Sequence, residues 1–174
     1  PPVIDPIKPL KAYEDRPFLY NVTGGDIDGD HLTFTDDSPL FDIEAKTGAI
    51  SFTPIQDKIG RYFFNISVLD NNGSDAKLAA ELEIIATNDR PTVSLLLPTH
   101  DFQVTEDNVK LAWVGKDLDL DDLTYTLYLD RGSGLVVEAQ GLVTSEYSMT
   151  GLVSGSTIKW TVEASDGQLT SERP

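Results

Sequence analysis

The chain has 174 residues, no cysteine, and 29 acidic against 13 basic side chains, for a net charge of −16. Disulfides and thiolate metal sites are excluded, and so is phosphate recognition, which needs a basic face. Apolar residues reach 40%, enough for ordinary cores, yet no apolar run approaches the roughly 20 residues of a membrane span.

The opening PPVIDPI lacks the basic-then-apolar pattern of a signal peptide. It reads as a detached segment from the middle of a proline-rich stretch, so the chain is expected to be a fragment. Stretches rich in Val, Ile, Thr, Tyr and Phe then alternate with clusters of Gly, Asn, Asp and Ser, the signature of short sandwich strands. Phe18 to Val22 reads as a strand, GGDIDGD as a turn, His31 to Thr35 as a strand, and Phe41-Asp42-Ile43 as a short one. Lys46-Thr47-Gly48 turns the chain into Ala49 to Phe52. Arg61 to Leu69 places Tyr62, Phe64, Ile66 and Val68 on one face, and after the turn Asn71-Asn72-Gly73 the segment Ala76 to Ala86 returns as its hairpin partner.

Asn88-Asp89-Arg90-Pro91 reads as a linker, ending in a residue that cannot donate to a sheet ladder. Beyond it, Val93 to Leu97, Val109 to Val114, Leu123 to Leu129, Leu135 to Ala139, Glu146 to Met149 and Ile158 to Ala164 read as strands. The expected fold is all-β: two tandem Greek-key immunoglobulin-like sandwiches, residues 1–90 and 91–174, the second without its last strand. Either the chain continues beyond this sequence, or another chain donates the strand to the open edge of the sixth. PPVIDPI is the first donor to test.

The acids are clustered, and they recur. Each half has Glu-Asp before its second strand (Glu14-Asp15, Glu106-Asp107), an Asp-x-Asp turn after it (Asp26/Asp28, Asp117/Asp119), and an Asp after its sixth strand (Asp70, Asp166). Greek-key connectivity brings the loops after strands two and six to the upstream end. Asp26, Asp28, Asp30 and Asp70 are thus expected at the upstream tip. Glu14, Asp57, Asp89, Asp117, Asp119 and Asp166 are expected at the junction. So many carboxylates repel one another, and calcium, which accepts 6–8 oxygens in flexible geometry, relieves them better than magnesium. Asp-Gly is also simply a good turn former; the recurrence in both halves favours a cation. GGDIDGD is not an EF-hand loop, since with Asp26 as position one His31 stands at position six, where that loop needs Gly.

Several motifs carry a family resemblance. AYEDRPF, DIDGDHLTF, KTGAISFTP, GRYFFNISVLDNNG and TNDRP make Pro1 to Pro91 resemble a cadherin-like domain of the dystroglycan type found in microbial surface proteins. That resemblance implies calcium held between successive domains by the acids just named, although QDKIG holds one Asp where cadherins usually offer two acids. LAWVGKDLDLDDLTYTLYL and YSMTGLVSGSTIKWTVEASDG make the second half similar to a fibronectin type III-like domain, with Trp113 as its core tryptophan. Ile158 stands where such domains usually have tyrosine, so the tyrosine-corner bond is expected to be absent.

Asn21, Asn65 and Asn72 head glycosylation sequons. His31 and His100 are isolated, and no Ser-His-Asp or Cys-His arrangement suggests catalysis. Paired acids do serve glycosidases, but these fall on repeated turns with few aromatics near them. The expected protein is therefore a non-enzymatic, calcium-rigidified structural or adhesive module pair, extracellular or at the cell surface. Its expected partners are neighbouring modules of the same chain, other copies of itself or surface glycans, with no nucleic acid and no membrane insertion. The alternatives are an accessory carbohydrate-binding or spacer region of a secreted hydrolase, and a filament or surface-layer subunit assembled by strand donation.

Overall fold

The computed structural model describes residues 1–99, 102–104 and 107–174. The predicted features at His100 and Glu106 lie outside the described residues. The chain forms two compact units, Pro1–Thr87 and Asn88–Pro174. Among the described residues, both are all-β apart from one short 3₁₀ turn, Gln56–Lys58.

The first unit contains β1 (Pro2–Ile4), β2 (Leu10–Tyr13), β3 (Phe18–Asn21), β4 (Gly24–Asp26), β5 (Thr33–Asp36), β6 (Ala49–Phe52), β7 (Gly60–Leu69) and β8 (Asp75–Ile85). A four-stranded sheet runs β2-β8-β7-β5, and β1-β4 and β3-β6 form two-stranded sheets. The long β7–β8 hairpin pairs from Gly60↔Ile84 to Leu69↔Asp75, and β2 joins β8 in parallel. Period-2 alternation sets the core: Phe64, Ile66 and Val68 are buried on β7 while Phe63 and Leu69 face out. These residues pack with Ala80, Leu82, Ile84, Ile50, Phe34 and Val22 in one apolar cluster.

Four expectations change here. PPVIDPI is not detached: β1 pairs with β4, Ile4 is buried and Ile7 packs on the core. It is thereby already seated in its own unit. Consequently Gly24–Asp26 belongs to a strand, and only the later part of GGDIDGD turns. Phe41-Asp42-Ile43 forms no strand. Both apolar residues are buried, but the Ile43 N–H donates to the Asp36 carboxylate (2.7 Å) and not to a neighbouring strand. Finally, the strand expected from His31 begins at Thr33.

Gly48 shows how the turn before β6 depends on one residue. Its φ is +72°, its N–H donates to Glu44 O and its carbonyl accepts from Val22 N, both at 2.8 Å. A Cβ there would run into the Val22 carbonyl oxygen. Backbone strain alone makes Gly48→Ala cost about 1–3 kcal/mol. The expected result is a melting temperature of the first unit lower by roughly 5–20 °C, measurable by calorimetry.

The second unit contains β9 (Thr92–Leu97), β10 (Asn108–Lys116), β11 (Thr124–Asp130), β12 (Leu135–Leu142), β13 (Glu146–Thr150) and β14 (Lys159–Ser165). Two three-stranded sheets, β13-β10-β9 and β12-β11-β14, face each other across a core of Leu111, Trp113, Leu127, Leu129, Met149 and Val162. Trp160 packs against this core from a partly buried position. The expected open edge of the sixth strand, β14, is partly met by the chain itself. Thr170 bridges to Ser165, the Ser171 N–H donates to Ala164 O (2.8 Å), and the Ala164 N–H donates to Ser171 Oγ (2.9 Å).

Candidate metal sites

In the first unit, Asp26 ends β4 and Asp70 follows β7. One oxygen of each folds its loop: Asp26 Oδ1 accepts the N–H groups of Asp28 (2.7 Å) and Asp30 (3.5 Å). Asp70 Oδ1 accepts those of Asn72 (2.9 Å) and Ser74 (2.7 Å). The Asn72 side-chain amide then donates to Asp30 Oδ2 (2.6 Å), tying the two loops together. As a result, carboxylate oxygens of Asp26, Asp30 and Asp70 all lie within 4.8 Å of one another.

The second oxygen of Asp26 is buried without a hydrogen-bond partner, and the side chain has no exposed surface. Burial pushes the Asp26 carboxyl up. The N–H groups of Asp28 and Asp30 oppose it.

The second unit repeats the device. Asp117 follows β10, and its Oδ1 accepts the N–H groups of Asp119 (2.9 Å) and Asp121 (3.3 Å), while its Oδ2 is buried without a hydrogen-bond partner. Leu120 sits in the left-handed region at φ 65°, a conformation costly for a branched side chain. Asp119 Oδ2 accepts from Asp89 N (2.6 Å). Asp166 follows β14; its Oδ1 accepts from Gln168 N and Leu169 N (both 2.6 Å) and its Oδ2 from Asn88 Nδ2 (2.9 Å). Those bonds hold Asp166 below its ordinary value. Asp121 is pushed the other way, by burial and then by the charges of Asp117, Asp119, Asp166 and Asp122.

Of the six acids expected at a junction, Glu14 and Asp57 belong to the first unit and Asp89, Asp117, Asp119 and Asp166 to the second. Glu14 is buried, and its Oε1 accepts from Thr87 N (2.7 Å); Asp57 is exposed on the 3₁₀ turn. Asp121 was not among the predicted ligands, although it stands in the same DLDLDD run. The sequons differ in setting. Asn21 is exposed at the end of β3. The Asn65 side-chain amide donates to Asp37 Oδ2 (2.9 Å), and that of Asn72 is engaged with Asp30.

The sign of these shifts sets an acid limit. Asp37, Glu44, Asp130 and Asp166 are all depressed in the fold. Their contribution is present above the ordinary carboxylate value and lost as pH falls through the lower folded values. Asp121, raised, favours folding below its ordinary value and loses that contribution as pH rises through the raised one. With four groups depressed and one raised, both units are expected to melt at lower temperature as pH drops below about 4. A calorimetric pH series checks this.

No protein-family model matches the chain. No curated protein matches it. Solved structures do resemble it. Extracellular cadherin domains 3–6 of protocadherin gamma B2 align with 100% of the chain and 45% of their own length, at 16% identity and TM-score 0.53. The EC3-6 structure of protocadherin gammaB7 aligns with 98% of the chain and 51% of its own length, at 17% identity and TM-score 0.52. The chain thus spans about half the length of these two structures. Fibronectin(III)-like modules of Clostridium thermocellum CbhA align with 99% of the chain and 90% of their own length, at 15% identity and TM-score 0.41. At such identities the two protocadherin likenesses are of fold alone: an all-β chain built of sandwich modules.

Proposed function

We propose that the chain is a calcium-dependent structural or adhesive segment of an extracellular or surface protein, and that it is not an enzyme. One observation carries this reading. In both units an Asp spends one oxygen on folding its loop and keeps the other buried without a hydrogen bond, beside further carboxylates. Burying a charged oxygen without a partner is costly, and a cation offsets that cost. The oxygen-only, loop-borne donor sets fit calcium better than magnesium or zinc.

Asp26, Asp28, Asp30 and Asp70 would hold an ion in the first unit. Asp117, Asp119 and Asp166, with Asp121, would do so in the second. Bound calcium supplies charge neutralisation, and the residues supply position: each set joins two loops of one unit. Chain order alone extends the reading to Glu14 and Asp57, whose sharing of calcium with Asp89 and the second unit's other acids would stiffen the pair. The solved cadherin structures of similar fold come from extracellular domains, which agrees with this reading. Calorimetry and small-angle scattering with calcium and with chelator test it. Higher melting temperatures and a longer, narrower length distribution in calcium support it. An identical response in chelator removes it.

A further inference from the structure

Sheet edges invite pairing with other chains unless they are short, charged or covered. Most free edges here are protected. β2 and β5 have four residues each. β13 has five residues. β9 runs into Pro98, which has no N–H to donate. β14 meets Thr170 and Ser171 of its own chain.

β12 has none of these protections. It is eight residues long, pairs with β11 on one side, and stands at the end of its sheet. Leu135, Val136 and Val137 are 47%, 51% and 52% exposed. Because they are consecutive, their side chains lie on both faces of the strand, so neither face is covered there. The strand's one charge, Glu138, is neutralised within its own hairpin by both guanidinium nitrogens of Arg131, at 3.0 and 3.2 Å. On a chain of net charge −16, this edge carries no uncompensated charge.

We propose that the free edge of β12 pairs antiparallel with the same strand of a second copy of the chain. Two features select a copy of itself. Repulsion between two strongly acidic molecules is least where their charge is already paired. The apolar triplet is also self-complementary: a two-fold centre at Val136 sets that residue opposite itself and Leu135 opposite Val137, with Glu138 clear of its counterpart. Such an isologous contact closes on a dimer and does not propagate. Cross-strand apolar pairs and main-chain hydrogen bonds hold it. One strand pair buries less than about 1,200 Å², so the association is weak.

Sedimentation equilibrium of the whole chain over a wide concentration range tests this. In chelator, the weight-average mass is expected to rise from one chain towards two, with the amides of residues 135–137 gaining protection from hydrogen exchange. Val136→Lys and Val137→Glu, on opposite faces, should each hold the mass at one chain. Tryptophan fluorescence melting shows whether each variant's second unit is folded. A wild-type chain that stays at one chain mass overturns the proposal. So does association that survives in a folded variant, or that vanishes in chelator, since the latter belongs to the carboxylate tips. The proposal does not depend on the calcium reading.

Discussion

Asp26→Asn and Asp117→Asn should each abolish the calcium-dependent rise in melting temperature of the unit that carries the change. Asparagine keeps an Oδ1 that can accept the loop N–H groups now bound by Asp26 and Asp117, so the turns should still fold. What disappears is the charge on the second oxygen. At calcium about 100-fold above its dissociation constant, binding to the native state alone contributes about 2.7 kcal/mol. For units of this size that corresponds to a shift on the order of 10–20 °C. Calorimetry in calcium and in chelator reads it directly, and the two variants serve as each other's control. If the rise persists in the altered unit, these carboxylates do not hold the ion. Calcium uptake should also release protons just above the ordinary carboxylate range, because the raised Asp121 carboxyl is returned towards its ordinary value by a nearby cation.

Trp113→Ala should unfold the second unit and leave the first standing. The indole is 2% exposed and packs edge-to-face on Tyr125 at 5.5 Å and against Trp160 at 6.4 Å. Removing it costs about 3–5 kcal/mol, a large share of the roughly 5–15 kcal/mol that holds a domain together. The first unit rests on a separate apolar cluster around Ile66, Val68 and Leu82. The chain has two tryptophans, Trp113 and Trp160, both in the second unit. Fluorescence of the remaining Trp160 therefore reports that unit alone, while calorimetry retains the first unit's transition. Simultaneous loss of both transitions would show that the two cores are not independent.

Most strands were legible in the sequence because period-2 alternation and turn residues are local signals. Arg61 to Leu69 and Ala76 to Ala86 match β7 and β8 to within one residue at each end, and the six strands expected in the second half all form. Errors arose where a partner distant in sequence decides the local state. Gly24–Asp26 looks like turn material, yet β1 supplies it with a ladder. Phe41 and Ile43 have the composition of a strand, but the backbone beside them is satisfied by Asp36, a side chain of the preceding strand.

By itself, the sequence determined the all-β class, the positions of most strands, the inward face of β7, and the recurrence of Asp-x-Asp turns. Each of these follows from residue type and short-range spacing. Tertiary structure alone decided that one oxygen of Asp26 and of Asp117 is buried without a hydrogen bond. It also decided which edges are covered, setting β14 against its own C-terminal residues and leaving β12 bare. Burial and edge exposure depend on what another part of the chain places alongside, and no local pattern of residues encodes that.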